Sequence, residues 1–492
     1  MKKHIFFTIV FVAAISTLTI SCSDEFVNRD AAYSIDSENY FNSKSDYDNA
    51  LVAAYDLLQS SYVNVLLGEI ASDNTLAGGE SQSDVVGFQQ IDDMIHTPVN
   101  SNLRDIWNWM FAGVNRANYI LEFKDKTEFE GKNQIIAEAR FLRAYYHFEL
   151  VKWFGGIPLK GDVRFNVGDE KTVPRSTVKE VYASIEADLI YASENLAAVP
   201  SQKGRVTKGA ALALLGKAYL YEENFTKAAA TFQTLITANN YSLVSDYNSI
   251  FEAEGENGSE SVFEVQYTDV EGAGFTCLQC SEGNVAVGFS GPRNYTGPLF
   301  TSGFSFNIPT QKIVSAFEGG DSRKAVAILD MSAWNTETGA TYGEGYENTG
   351  YFNRKYIPRK RSATAVGDLN LTNPSNYRAI RYADVLLMAA EAYNRGAIDD
   401  SKARLFLNEV RRRAFGDTNH DISASGAALT DFIWAERRVE LAGEGHRFFD
   451  LVRTKKAAQE ITGFTAGKNE LFPIPIEEIQ FANGNWSQNP GY

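Results

Sequence analysis

The sequence predicts a mostly α fold, in which tetratricopeptide-like helical repeats support an irregular, loop-rich half containing short β-strands. Three observations predict it. Ile135, Ala139, Leu142, Tyr146, Leu150 and Trp153 recur at steps of three and four, which places them on one helical stripe. Within Gly209 to Asn240, the residues Leu215, Gly216, Tyr219, Ala228 and Phe232 match the tetratricopeptide pattern in type and spacing. After Glu254 the composition changes, and 15 of the chain's 38 glycines fall between Gly255 and Gly350, among many aromatics.

The elements follow in chain order. Lys2 and Lys3 precede an apolar run, Ile5 to Ile20, which is short for a membrane span of about 20 residues. It closes in Thr19-Ile20-Ser21-Cys22, which resembles a lipobox. Residues 1–21 are therefore expected to be a signal peptide and Cys22 the acylated mature N-terminus. Ordinary secretory cleavage is the alternative. The lipoprotein is preferred because no second apolar span is evident and a free N-terminal cysteine needs a reason. Ser23-Asp24-Glu25 resembles an acidic tag that directs lipoproteins to the cell surface.

From Ser45 to about Leu243 amphipathic helices dominate, including Asp105–Leu121 and Val178–Leu196, with a break at Gly155-Gly156-Ile157-Pro158. In the repeat, small Gly216 and Ala228 let paired helices approach, while Tyr219 and Phe232 fill the space between them. Ser261–Thr268 and Gly350–Pro358 read as short strands between long ordered loops, and loops of such length are usually functional. Cys277 and Cys280 stand alone as Cys-Leu-Gln-Cys; in an exported chain a local disulfide is the preferred reading over a metal or redox site. Helix is expected again over Tyr382–Arg413 and onward to Lys455, followed by a tail with Pro473, Pro475 and one short helical turn.

Charge and residue type exclude several functions. A formal net charge of -16 argues against nucleic acid, whose affinity comes from clustered Lys and Arg. The five histidines are scattered with no pair at i, i+4, so no metal site and no cofactor are expected. Paired carboxylates decide nothing in a chain with 62 acidic residues. His446 and Asp450, four apart, could bond as a dyad. However, Phe432, Ala435, Val439, Ala442, His446 and Phe449 form one apolar stripe, and no nucleophile is identifiable beside them. A structural network of Glu440, His446, Arg447, Asp450 and Arg453 is preferred, with Gly443 and Gly445 marking a break or a close backbone contact. No catalytic residue is expected, and the chain reads as a binding protein rather than an enzyme.

A ligand surface can be built from flat aromatic faces together with amide, carboxylate or guanidinium groups. Two loop regions supply both. The first runs from Asp73 and Asn74 through Gly78 and Gly79 to Gln82, Asp84 and Phe88. The second holds Phe289, Arg293, Asn294, Tyr295, Phe304, Phe306 and Asn307. Asp84, Phe88, Phe289, Arg293, Asn294, Tyr295, Phe304 and Phe306 are the expected ligand residues. The competing reading is that these aromatics pack the loops onto the scaffold.

Three stretches carry a family resemblance. They are Ala137 to Pro158, with its Arg-Phe-Leu-Arg-Ala-Tyr-Tyr core; Glu436 to Arg453, with Glu-Arg-Arg-Val-Glu-Leu and Gly-His-Arg-Phe-Phe-Asp; and Phe472-Pro-Ile-Pro, followed by Asn489-Pro-Gly-Tyr492. Asn115 to Asn118, Pro309 to Gln311 and Asp321 to Arg323 add weaker matches. Together they resemble the SusD/RagB family over most of the mature chain. The resemblance implies four tetratricopeptide-like helix pairs, an irregular half carrying the ligand site, lipid anchorage at the outer-membrane surface, and a SusC-like TonB-dependent transporter as partner. One SusD-like domain over residues 22–492 is then expected, divided into a helical part (22–250), a Gly- and aromatic-rich part (251–375) and a C-terminal part (376–492). The implied function is capture of an oligo- or polysaccharide for the transporter. The alternative is a peptide- or other nutrient-binding lid of the RagB kind.

Overall fold

The computed structural model describes residues 39–272, 274–361 and 364–492; the signal-peptide stretch and Cys22 lie outside the described residues. The described chain opens with α1 (Lys44–Asp56), α2 (Tyr62–Ile70), strand β1 (Thr75–Gly78) and α3 (Val86–Asp92). Lys44–Ile70 is long and apolar enough to cross a membrane, a second apolar span that the sequence expectation omits. Its most apolar window is 67% buried, because α1 and α2 form part of the core.

The repeat array follows: α4 (Ser101–Glu122), α5 (Lys132–Phe154), α6 (Val178–Asn195), α7 (Lys208–Tyr221) and α8 (Phe225–Thr237). Side-chain caps start four of these helices. Asn100 accepts from the Leu103 amide, Thr177 from Glu180, Thr207 from Ala210 and Asn224 from Lys227, which satisfies amides that have no partner inside the helix. The stripe from Ile135 to Trp153 is buried, as its spacing predicts. So are most other faces of α5, which packs on α1, α4 and α6. In the α7–α8 pair, a Cβ on Gly216 would lie 2.4 Å from Phe232 Cε1, so the glycine is what lets the ring seat between the helices.

Beyond the array the chain becomes irregular. It contains β2 (Ser261–Val265), α9 (Val285–Ser290), β3 (Phe306–Pro309), α10 (Gln311–Val314), α11 (Lys324–Ala327), β4 (Ile328–Asp330), α12 (Met331–Thr338), β5 (Tyr351–Asn353) and β6 (Tyr377–Arg381). The strands pair as three antiparallel two-stranded ribbons, β1–β3, β2–β6 and β4–β5. The β1–β3 and β2–β6 ribbons join segments distant in sequence, tying the loop-rich half to the scaffold, whereas β4–β5 closes a local loop.

The C-terminal part holds α13 (Tyr382–Arg395), α14 (Asp400–Phe415), α15 (Gly426–Glu440), α16 (Arg447–Arg453), α17 (Ala457–Glu460) and α18 (Ile476–Phe481). The helix expected over Tyr382–Arg413 is two, because the chain turns at Gly396 and Ala397 and Asp399 caps α14 through the Ser401 and Lys402 amides. The array continues through them: α8 packs on α13, and α13 on α14 and α15. Neighbouring helices thus pack on one another from α4 through α8 and on to α13, α14 and α15, a tetratricopeptide-like array.

Between α15 and α16 the helix breaks at Gly443 and Gly445, whose φ of +81° and +83° L side chains rarely adopt. The Gly445 amide donates to Glu69 Oε1 at 2.7 Å. Around this break lie buried ion pairs. Glu440 meets Arg323, Arg381 and Arg413, Glu444 meets Arg381 and Lys355, and Asp73 meets Arg438 and Arg447. The His446–Asp450 dyad does not form. Arg437 and Arg453 take the Asp450 carboxylate, while His446 Nδ1 lies 3.4 Å from Lys217 Nζ. Burial holds the His446 imidazole down to about 3, hence neutral at ordinary pH. The expected stripe also fails at Phe432, which is 42% exposed, and at exposed Ala435, because the buried face of α15 carries Leu429, Ile433, Glu436 and Glu440 instead.

Candidate functional site

The two loop regions singled out by composition meet in space. β1 pairs with β3 in the register Thr75↔Pro309, Leu76↔Ile308 and Gly78↔Phe306. The Gly79 amide then donates to the Ser305 carbonyl at 2.7 Å, which carries the join past the end of the ribbon. A third segment, 341–347, closes the side: the Gly343 amide donates to the Arg293 carbonyl at 2.7 Å and the Tyr346 amide to the Gly79 carbonyl at 2.9 Å. Val85, at the start of α3, has φ +44°, a strained conformation for a β-branched residue that costs about 1–3 kcal/mol. Asn294, Ser305, Asn307 and Glu347 also carry positive φ, so backbone strain gathers where the three segments meet.

The expected ligand residues divide into two groups. Phe88, Phe289 and Phe306 are buried and pack on one another, Phe289 against Phe306 at 5.4 Å nearly parallel and Phe88 edge-on to Phe306 at 5.3 Å. Tyr295 is also buried, in a separate small core with Phe300, Met331 and Phe352. Its hydroxyl donates to the Pro298 carbonyl at 2.8 Å and accepts from Trp334 Nε1 at 2.9 Å. These four rings are not free faces. They have turned inward, as aromatics do when a loop lies over apolar surface.

Phe304, Arg293, Asp84 and Asn294 remain at the surface. Phe304 is half-buried, rests edge-on against Phe289 at 5.6 Å and touches Phe275 at 5.9 Å. Phe275 is 58% exposed and stands just before the disulfide that joins Cys277 to Cys280 across a Cα–Cα distance of 5.3 Å. Arg293 Nη2 donates to the Phe304 carbonyl at 3.1 Å and reaches Asp84 Oδ2 at 3.4 Å, and Nη1 is 3.6 Å from Glu80 Oε2. The result is a shelf with an aromatic edge beside a guanidinium and two carboxylates.

Sequence reasoning missed Phe275, which lies in a glycine-rich stretch with no period. It also missed two carboxylates under the shelf. Asp92 Oδ2 accepts from the Ala77 amide at 2.7 Å and Glu347 Oε2 from the Gly78 amide at 3.3 Å. Burial, with Glu347 and Asp93 nearby, pushes Asp92 up to about 8, and burial also raises Glu347. Among the described residues no group of three or more His, Cys, Asp or Glu is placed to hold a metal ion.

A helical-repeat scaffold with a loop-borne aromatic and charged shelf defines a class of protein built to present a surface. Known proteins narrow the class. The profile of the SusD family matches residues 259–470, and a second profile, described as starch-binding associating with outer membrane, matches residues 26–220. A solved structure of a laminarin binding SusD-like protein is 34% identical, with a TM-score of 0.84 over 92% of this chain and 100% of that one. Surface glycan-binding protein A from Bacteroides thetaiotaomicron, solved in complex with laminarihexaose, is 25% identical, with a TM-score of 0.80 over 91% of this chain and 99% of that one. SusD-like protein P2 of Formosa agariphila is 27% identical across 100% of both chains. The chain belongs to the SusD/RagB family.

Proposed function

We propose that this protein is a cell-surface glycan-binding lipoprotein that captures a laminarin-type oligo- or polysaccharide and delivers it to a SusC-like TonB-dependent transporter. The observation that carries the reading is its likeness to the laminarin binding SusD-like protein over 92% of the chain at 34% identity. The shelf supplies chemistry of the right kind. Phe275 and Phe304 offer ring faces to the C–H side of a sugar, while Arg293, Asp84 and Glu80 offer donors and acceptors to its hydroxyls. The scaffold holds the shelf, and no bond of the ligand is broken. Acylation of Cys22 tethers the protein to the outer membrane.

Calorimetry with laminarin and laminarihexaose, against an unrelated glycan, tests the reading. Saturable heats with the first two and not the third are expected. No binding to any of the three would sink it, as would release of reducing ends from laminarin by the pure protein. Mass spectrometry of the native protein is expected to find residues 1–21 gone and acyl mass on Cys22.

A further inference from the structure

A hollow lined by none of the shelf residues lies where α4 meets the chain segment around α18. It measures 360 Å³ and is walled by Trp107 and Phe111 of α4, Phe165 of the α5–α6 loop and Trp486 beyond α18. The walls are fixed. The Phe165 backbone amide donates to Asn115 Oδ1 at 2.7 Å, Asn115 Nδ2 donates back to the Phe165 carbonyl at 3.1 Å, and Trp486 Nε1 donates to the Val173 carbonyl at 2.8 Å.

The rings are steeply inclined. Trp107 meets Phe111 at 47° and 4.7 Å, Trp486 at 55° and 6.1 Å, and Phe111 meets Phe165 at 85° and 5.7 Å. A sugar ring wants one flat face to stack on, whereas inclined faces surround a rounded group and turn several negative π-clouds toward it. The rim is acidic: Glu170 and Glu478 line the hollow, and among the described residues no lysine or arginine does. The third lining carboxylate, Asp169, is already engaged by Lys160, whose ammonium lies 5.8 Å from the Phe165 ring centre. Burial and the neighbouring Glu170 and Glu477 push the Glu478 carboxyl up from its ordinary range, against a hydrogen bond with Trp107; Glu477 is itself paired with Arg104 at 2.9 Å.

We propose that this hollow is a binding site for an ammonium group on a short aliphatic stem, held by the Trp107, Phe111, Phe165 and Trp486 rings and neutralised by Glu170 and Glu478. The inference stands apart from glycan capture at the shelf, because it uses none of the shelf residues.

The test follows the indole N–H resonances of Trp107 and Trp486 in the full chain. Tetramethylammonium, n-butylammonium and N-acetyl-lysine methylamide are titrated separately. At least one should shift both resonances saturably, and added sodium chloride should weaken the effect. In Glu170→Gln/Glu478→Gln the affinity should fall at least about tenfold, since both counter-charges are gone. Preference for tetramethylammonium marks a free quaternary amine as the source, and preference for the lysine derivative marks a polypeptide side chain. If the double variant does not fold, Phe165→Leu, which removes one wall, must give the same loss. The proposal is overturned if no cation shifts the two indoles, if the variants bind as well as the parent, or if laminarihexaose shifts the same resonances and the cations do not.

Discussion

The Arg293 guanidinium and the Asp84 carboxylate meet at 3.4 Å across 209 residues of chain. Asp84 also accepts from the Glu80 amide at 2.8 Å, so one carboxylate both shapes its own loop and faces the other. Arg293→Ala is therefore expected to weaken laminarihexaose binding by about 1.5–3 kcal/mol, the usual worth of a hydrogen bond to a charged group. Calorimetry measures it. Unchanged affinity in a folded variant would move the ligand off this shelf.

Phe275 and Tyr295 should behave oppositely. Phe275→Ala removes an exposed ring and is expected to lower glycan affinity by about 0.5–1.5 kcal/mol while leaving the melting temperature in place. Tyr295→Phe removes the hydroxyl between Pro298 and Trp334 and should cost about 1–3 kcal/mol of stability without touching affinity. Parallel calorimetry and thermal unfolding separate the two roles, and the reverse pattern would reinstate Tyr295 as a ligand residue.

Gly216→Ala opposes two effects of known sign. Helix propensity favours alanine by about 1 kcal/mol. The new Cβ would lie 2.4 Å from the fully buried Phe232 ring, and overpacking of this kind costs about 1–3 kcal/mol. Packing is expected to win, so urea denaturation should find the variant less stable; a gain would mean that α7 and α8 can separate without loss.

Asp92 gives stability a pH dependence. Its folded value of about 8 lies above the unfolded value of about 3.9. Its contribution is fully present below the unfolded value and fades as pH rises toward the folded one. Between about pH 5 and 8 the parent should therefore lose melting temperature relative to Asp92→Asn, which has no proton to release. Burial raises Glu347 in the same direction, so the variant's own slope is reduced and not abolished. Parallel curves for the two proteins would refute the assignment.

Arg381 sits among Glu260, Glu440 and Glu444, all buried. Removing one member of such a set strands uncompensated charge, at a cost of about 3–5 kcal/mol. Arg381→Ala should unfold at distinctly lower urea than the parent. A variant within about 0.5 kcal/mol of the parent, the range of ordinary surface substitutions, would show that water reaches the carboxylates.

Much of this was legible where the relevant spacing is local. Gly216, Tyr219 and Phe232 announce a helix pair because their partners lie within one repeat, and Cys277 finds its partner three residues away. The Gly443–Gly445 break was signalled by two glycines in a helical pattern. Residue type singled out two loops that the structure brings together, yet it could not say which way Phe88, Phe289, Tyr295 and Phe306 turn, since irregular backbone has no period to fix a face. Phe275 and Asp92 act through neighbours far along the chain, and a single sequence carries no record of such contacts. The Asp450 carboxylate is taken by Arg453, three residues on, and by Arg437 rather than by His446.

The buried Asp73 carboxylate has its two guanidinium partners 365 and 374 residues later in the chain. Until Arg438 and Arg447 arrive, that charge must stay in water, and the turn leading into β1 cannot be sealed. Closing so long a loop is entropically slow, and long-range contacts of this kind govern how fast a chain folds. The shelf should thus be among the last parts to form, well after the local helix pairs. A chain stalled at that stage would leave the rings of Phe88, Phe289 and Phe306 without the packing that buries them, and exposed apolar surface of this kind favours aggregation.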